Sequence, residues 1–505
     1  MAIEPPSPTL AAAVSAYSTV SMGTEHHVDH LVVGAGSGGC VVASVLSADP
    51  TTTVLLLEAG SDRTAVGTDD TRSPNLFRAI STQGRTWEGI TATRAAGLPE
   101  RPYARGLGIG GSSTVNGLIA VPGRPEDYDR WARDFDCEGW AWRDVAPTFL
   151  LLRRQLRSQP PDQWQGADRA LALAARSLGH PLLSTGSVWR ADGVGPAMLT
   201  LATDALDGTT VRGSADVVYL AGARSRPNLT IRTDSVVRRL LVDRRRIVGV
   251  RLDDGTEITA THVSICAGAI LSPALLLRSG IEREGVGSNL CDHPAVGITL
   301  RLRAAADMAR PSTAALLQTD GLQVLPLSGL GLGVEEHRLG AFMAGVLRSY
   351  GRGRVALRAD DADGPPVVEF ELLADARDRA ALRRATRLLV ELASSPATAV
   401  DVASTAIDDR GTPLAALADA DDDSVDAWVR ENLADYLHAA GTCRMGDPSD
   451  PAAVVDTDCK MIGYEGLSVI DASVFPDLPQ ANPHLPTMMV ATRAATRMRA
   501  SAAEA

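Results

Sequence analysis

Gly34, Gly36 and Gly39, with Ser37 and Gly38 between the last two, form a GxGxxG turn directly after the apolar run HLVV and at the head of SGGCVVASVLSAD. A second apolar run, TTTVLLLEAG, carries Glu58 at its end, about twenty residues beyond Gly39. Residues of these types at this spacing hold the diphosphate of a dinucleotide. Gly34 permits the tight turn, Gly36 lets a pyrophosphate approach the backbone, and Gly39 lets helix and strand pack closely. The diphosphate then rests on the positive end of the helix dipole. Glu58 is placed to accept a hydrogen bond from a ribose 2′-OH, and its charge repels a 2′-phosphate. The fingerprint alone leaves NAD and FAD both open.

The elements around these residues alternate as β-α-β, which implies a parallel sheet buried on both faces. From Asn228 to Ala267 the sequence is extended, with DRRR and DDG turns that predict hairpins and a final apolar strand, HVSICAG. Helices are expected over Ala374–Ser394 and Ser424–Leu437, the second opened by an acidic cluster between Asp419 and Asp426 that suits a helix N-terminus. The chain of 505 residues is long enough for roughly two to four domains. The first 27 residues read as a disordered extension without a basic signal-peptide region. Glu25, His26, His27, Asp29 and His30 resemble a ligand cluster, but they run into a strand whose side chains alternate, so no metal site is expected.

Composition removes several classes of function. A net charge of −12 is wrong for a general nucleic-acid binder. No apolar run is long enough to span a bilayer, so a soluble protein is expected. The six cysteines, Cys40, Cys137, Cys266, Cys291, Cys443 and Cys459, contain no CxxC pair and read as reduced thiols in a cytoplasmic protein. Lys460 is the only lysine and lies in no P-loop or Schiff-base context. Neither a GxSxG elbow nor an HExxH helix is present.

Five further segments follow in order: RGLGIGGSSTVNGLIAVPGRPEDY from Arg105, SICAGAILSPALLLRSGI from Ser264, VGSNLCDHP from Val286, LHAAGTCRMG from Leu437, and GLSVIDASVFPDLPQANPHLPTMMVATRAA near the C-terminus. With the first glycine turn, they make the chain similar to the glucose-methanol-choline (GMC) family of FAD-dependent oxidoreductases from about Val28 to Arg497. The resemblance is greatest to the bacterial alcohol and choline-type members. It implies an α/β fold: a Rossmann-like FAD-binding domain and a second, α+β substrate domain built on an antiparallel sheet. The expected FAD-binding domain is discontinuous, from residues 28–150, 205–295 and 435–503, with 151–204 and 296–434 forming the substrate domain.

By the same resemblance His438 is the active-site base that takes the substrate hydroxyl proton, a task suited to imidazole near neutral pH. Asn482 hydrogen-bonds the developing alkoxide, with His484 the alternative for that place. His293 is structural and close to the cofactor. Gly110, Gly111, Ser112, Asn116 and Gly117 form the loop that approaches the isoalloxazine. The backbone of Val236 meets the adenine, Asp471 and Ala472 lie by the ribityl and pyrophosphate, and Pro483 also contacts the cofactor. Some members attach FAD through a histidine in the second loop; Val115 stands there, so the expected FAD is non-covalent.

The reaction implied is oxidation of an alcohol CH–OH to a carbonyl by hydride transfer to flavin N5, with electrons passed on to oxygen or another acceptor. An FAD-containing hydroxynitrile lyase on the same fold and an NAD-dependent dehydrogenase are the alternatives. Trp87, Phe342 and Tyr436 are candidate pocket aromatics, with core packing the competing role for each. After Ile281 the link to VGSNLCDHP is only EREG, shorter than is common in the family.

Overall fold

The computed structural model describes residues 27–62, 70–187, 190–204, 207–281, 283–408 and 410–504. The expected N-terminal extension lies outside them, apart from His27.

Two seven-stranded sheets organise the chain. In the first, β1 (His27–Val33) runs parallel to β2 (Val54–Leu57) on one side and to the strand Glu257–Ile265 on the other. β2 in turn pairs in parallel with Leu229–Arg232, and Leu467–Val469 pairs in parallel with Glu257–Ile265. β2 is VLLL, buried throughout, as a strand covered on both faces must be. Glu257–Ile265 shows both regimes. Its first half alternates exposed and buried residues in an antiparallel hairpin, and its last three residues, Val263–Ile265, are continuously buried beside β1. The expected hairpins are present: Val237–Asp243 turns through Arg244 at φ 58° into Arg246–Leu252, which pairs with Glu257–Ile265. Helix α1 (Ser37–Leu46) covers this sheet and packs against the C-terminal helix His484–Glu504.

The second sheet is antiparallel throughout, in the order Val402–Ala406, Pro294–Leu302, Leu339–Val346, Leu322–Ser328, Ala315–Thr319 and Gly193–Pro196. Its two faces serve different ends. Val296, Ile298, Val324 and Phe342 point to the helices Gly166–Ser177 and Ala376–Ser394 and share one apolar core with them. Ala295, Leu316 and Leu325 point the opposite way, into a smaller cluster with Leu118, Tyr436 and Ala481. This division puts Phe342 in the helix-side core and Tyr436 on the other face; Trp87 packs against the helix-side core.

The helix Ala376–Ser394 is capped by Asp375, which accepts from the Arg377 N–H. The acidic helix differs from expectation: it runs Asp422–Asn432, with Asp421 as cap accepting from the Ser424 N–H. It stops short of Leu437 because Ala434 and Asp435 join the edge of the second sheet beside Pro294 and Ala295. That exchange delivers Tyr436 and His438 on non-helical backbone, with Leu437 between them in the left-handed region at φ 60°. The short link after Ile281 is held by Arg283, whose guanidinium donates to the carbonyls of Ala453 and Asp450.

Candidate active site

The two glycine loops abut. Gly34, at φ 94°, donates its N–H to the Leu57 carbonyl, so the turn closes directly onto β2. A Cβ on Gly39 would run into the Gly34 carbonyl, which is why this position of α1 admits only glycine. A Cβ on Gly36 would meet nothing nearer than the Cys266 carbonyl at 3.9 Å, and no side chain caps α1 there. The second loop arrives from the other side: Gly110 N–H donates to the Ala35 carbonyl at 2.8 Å, and a Cβ on Gly111 would lie 2.8 Å from the Gly36 Cα.

Glu58 stitches these loops together. Its Oε1 accepts from the N–H groups of Gly60 and Gly108, both at 3.0 Å, and its Oε2 from Ala35 at 2.8 Å. Ser235, next to Val236, donates its N–H to the Glu58 carbonyl, while the Val236 carbonyl accepts from Asp253. Asp471 uses Oδ2 for the Gly268 N–H and the Ser272 hydroxyl and Oδ1 for the Ser473 N–H, so it anchors the start of the helix Gly268–Arg278. The Ala472 carbonyl accepts from Gly441, behind the His438 segment. Ser112 Oγ accepts from the Gly106 N–H.

The histidines meet on strand ends from distant parts of the chain. His438 Nδ1 lies 2.9 Å from His293 Nδ1, with the rings nearly perpendicular. On its other side His438 Nε2 lies 3.4 Å from Asn482 Nδ2. Asp292 sets this pair: its Oδ1 accepts the backbone N–H of both His293 and His438, at 2.6 and 3.0 Å, and its Oδ2 accepts from the Tyr103 hydroxyl. Tyr436 stands edge-on to His438, and a Cβ on Gly345 would lie 2.5 Å from its ring. His484 takes a different place, with Nδ1 2.8 Å from the Ser37 hydroxyl at the start of α1. Pro483, between Asn482 and His484, offers its carbonyl to the Thr487 N–H at the head of the last helix.

Donor logic fixes the protons. In this amide orientation Asn482 Nδ2 donates to His438 Nε2, which assigns the ring proton of His438 to Nδ1. His438 Nδ1–H therefore donates to His293 Nδ1, which places the His293 proton on Nε2, a buried atom without a hydrogen-bond partner. Burial holds His438 well below the usual imidazole range, helped by the charge of Arg105. Burial also lowers His293 to about 3 and His484 to about 4, the latter aided by Arg212. Asp292 is pushed up to about 7 by burial and by Asp435 beside it.

Arg212 was not singled out by any sequence motif. It is fully buried, donates to the Ser73 carbonyl and to both oxygens of Asn116, and leaves Nη2 without a partner. The one trace of it in the sequence is an arginine in an otherwise small and apolar stretch, VRGSA.

Residues 28–295 and 349–491 match the two family models described as GMC oxidoreductase. The chain belongs to the GMC oxidoreductase family. This GMC chain is 31% identical over 544 residues to the oxygen-dependent choline dehydrogenase of Photobacterium profundum, covering 92% of each. It is 31% identical over 531 residues to the 5-(hydroxymethyl)furfural oxidase of Methylovorus, covering 94% of this chain and 98% of the relative. Among solved structures, pyridoxine 4-oxidase from Mesorbium loti superposes with a TM-score of 0.80 at 25% identity, over 93% of this chain and 99% of that one. The fold is thus that of the GMC flavoenzymes, and the protein is an FAD-dependent oxidoreductase rather than an NAD-dependent dehydrogenase.

The residues present fit that cofactor. Room for a Cβ at Gly36, open space at Gly117, a helix start at Ser37 with no side-chain cap, and unpartnered buried atoms on Arg212 (Nη2), His484 (Nε2) and Asn482 (Oδ1) leave donors and space for it.

Proposed function

We propose that this GMC oxidoreductase oxidises the CH–OH of an alcohol to a carbonyl, with His438 as base and Asn482 as donor to the alkoxide. Bound FAD supplies the hydride acceptor. The observation that carries the reading is the largely buried His438 Nε2 with the Asn482 amide 3.4 Å away. A substrate hydroxyl lodged between them gives its proton to Nε2. The imidazolium so formed is stabilised through its Nδ1–H by His293. Asn482 Nδ2 is then free to donate to the oxygen as negative charge develops on it. Burial that keeps His438 neutral keeps it competent as a base at neutral pH.

The relatives named dehydrogenase and oxidase favour this chemistry over cyanohydrin cleavage. Two lines of support concern the cofactor and setting. Val115, buried beside the second loop, offers no nucleophile, which favours non-covalent FAD. All six cysteines are unpaired and buried, which favours a reducing compartment such as the cytoplasm. No helix among the described residues is long and apolar enough to cross a membrane. The two sheets suggest the division into a discontinuous FAD domain (28–150, 205–295, 435–503) and a substrate domain (151–204, 296–434). Oxygen or another acceptor takes the electrons.

Anaerobic mixing of the holoenzyme with primary and secondary alcohols tests the reading. Loss of the flavin's visible band supports it; aldehyde release from mandelonitrile without that loss supports a lyase.

A further inference from the structure

The face of the second sheet turned away from its helices carries two buried glutamines. Gln323 pairs in register with Gly345 on one side and with Gln318 on the other, so all three share a face. That face is the one where the Tyr436 ring fills the space of a Gly345 Cβ. Around it lie Leu118, Leu316, Leu325 and Ala481, the last adjacent to Asn482. Gln323 is completely buried, yet neither its Oε1 nor its Nε2 has a hydrogen-bond partner, and the Nε2 of Gln318, 1% exposed, has none either. Although cross-strand neighbours, the two amides do not bond to each other.

Leaving a buried amide unpaired in an apolar wall costs free energy, so these groups are placed for a partner that the chain does not supply. Tyr436 cannot be that partner for the side chains: its hydroxyl is committed to the backbone carbonyls of Gln323 and Met343, at 2.8 and 3.0 Å. Tyr436 also links the amides to the histidine, since its ring is 5.4 Å from that of His438.

We propose that Gln323, with Gln318, is a specificity subsite for a neutral hydrogen-bonding group at the distal end of the substrate, such as an amide, hydroxyl or ether. This rests on the alcohol-oxidation reading above and names its substrate class. A quaternary ammonium does not suit the wall. The buried carboxylates beside His438 and Tyr436 are already engaged, Asp292 by Tyr103 and Asp435 by Arg94, and Tyr436 is the one aromatic ring in the cluster. Two amide donors and one acceptor match a neutral polar group and leave a methyl group in its place uncompensated.

The experiment compares para-hydroxymethylbenzamide, para-methylbenzyl alcohol and choline as anaerobic reductants of the holoenzyme, reading the flavin reduction rate over the apparent Kd. The wild type is expected to favour the benzamide over the methyl analogue at least tenfold, with choline the poorest of the three. Gln323→Leu should cut that ratio tenfold or more, and Gln318→Leu should cut it less. Should Gln323→Leu fail to fold, the wild-type ratio and Gln318→Leu decide. A wild-type ratio near one, an unchanged ratio in the variants, or choline as the best reductant overturns the subsite while alcohol oxidation stands. Reduction by none of the alcohols overturns both.

Discussion

His293 Nδ1 and His438 Nδ1 lie 2.9 Å apart, beside the paired segments Pro294–Ala295 and Ala434–Asp435, with the single carboxylate of Asp292 accepting the backbone N–H of both. One proton is shared across that contact. Because Asn482 donates to the other nitrogen of His438, the shared proton belongs to His438, and His293 acts as its acceptor. His293 is thus a positioning residue. The resemblance alone placed it near the cofactor without assigning this task.

Replacing His293 with Asn is expected to slow flavin reduction about tenfold to a hundredfold through loss of orientation of His438. It should also move the acid limb of the kcat/KM profile. Below its pKa the base is protonated and inactive. His293, held near 3 and so neutral on this limb, accepts from His438 Nδ1–H and stabilises the imidazolium; its loss shifts the limb toward lower pH. A pH profile of the variant checks this; a slower enzyme with an unmoved limb would mean that His293 only fills space.

Stability should fall in mild acid. His262, on the strand beside β1, is held near 3 by burial, with His30 and Lys460 adding repulsion, against an ordinary value of 6.5; its Nε2 lies 3.0 Å from the Ser468 hydroxyl. His30 is also lowered, chiefly by burial. The unfolded chain takes up these protons below about pH 6.5 and the folded chain does not, so the stabilisation present above that pH is lost progressively down to about pH 3. At pH 5 the loss from His262 is about 2 kcal/mol. Urea unfolding at pH 5 and 7.5 measures it, and His262→Gln should reduce the difference by about that amount.

Arg212→Gln is expected to destabilise the apoprotein by about 2–4 kcal/mol, because it removes donors from Ser73 and Asn116 in a fully buried setting. Thermal or urea unfolding of the FAD-stripped variant reads this directly. A change within about 0.5 kcal/mol would show that the second loop does not depend on this guanidinium.

The dinucleotide half of the fold was legible because its constraints are local. A GxGxxG turn, a buried VLLL strand and hairpins marked by DRRR and DDG each report on their own neighbours. The helix expected to reach Leu437 was not, because pairing of Ala434 and Asp435 with Pro294 and Ala295 overrides local helix propensity. His438 and Asn482 were found by motif, whereas their link to His293 through Asp292 depends on contacts about 145 residues apart. Arg212, Gln318 and Gln323 carry no motif. Their meaning lies in partners they lack, which only the folded chain can show.

The central claim is that His438 Nε2 is the base. The most direct measurement is anaerobic stopped-flow reduction of the flavin by a primary alcohol in wild type and His438→Ala, with FAD content determined on the same samples. The account predicts reduction slowed about 10²–10⁴-fold in the variant with FAD still bound. Reduction at close to the wild-type rate in His438→Ala would contradict it.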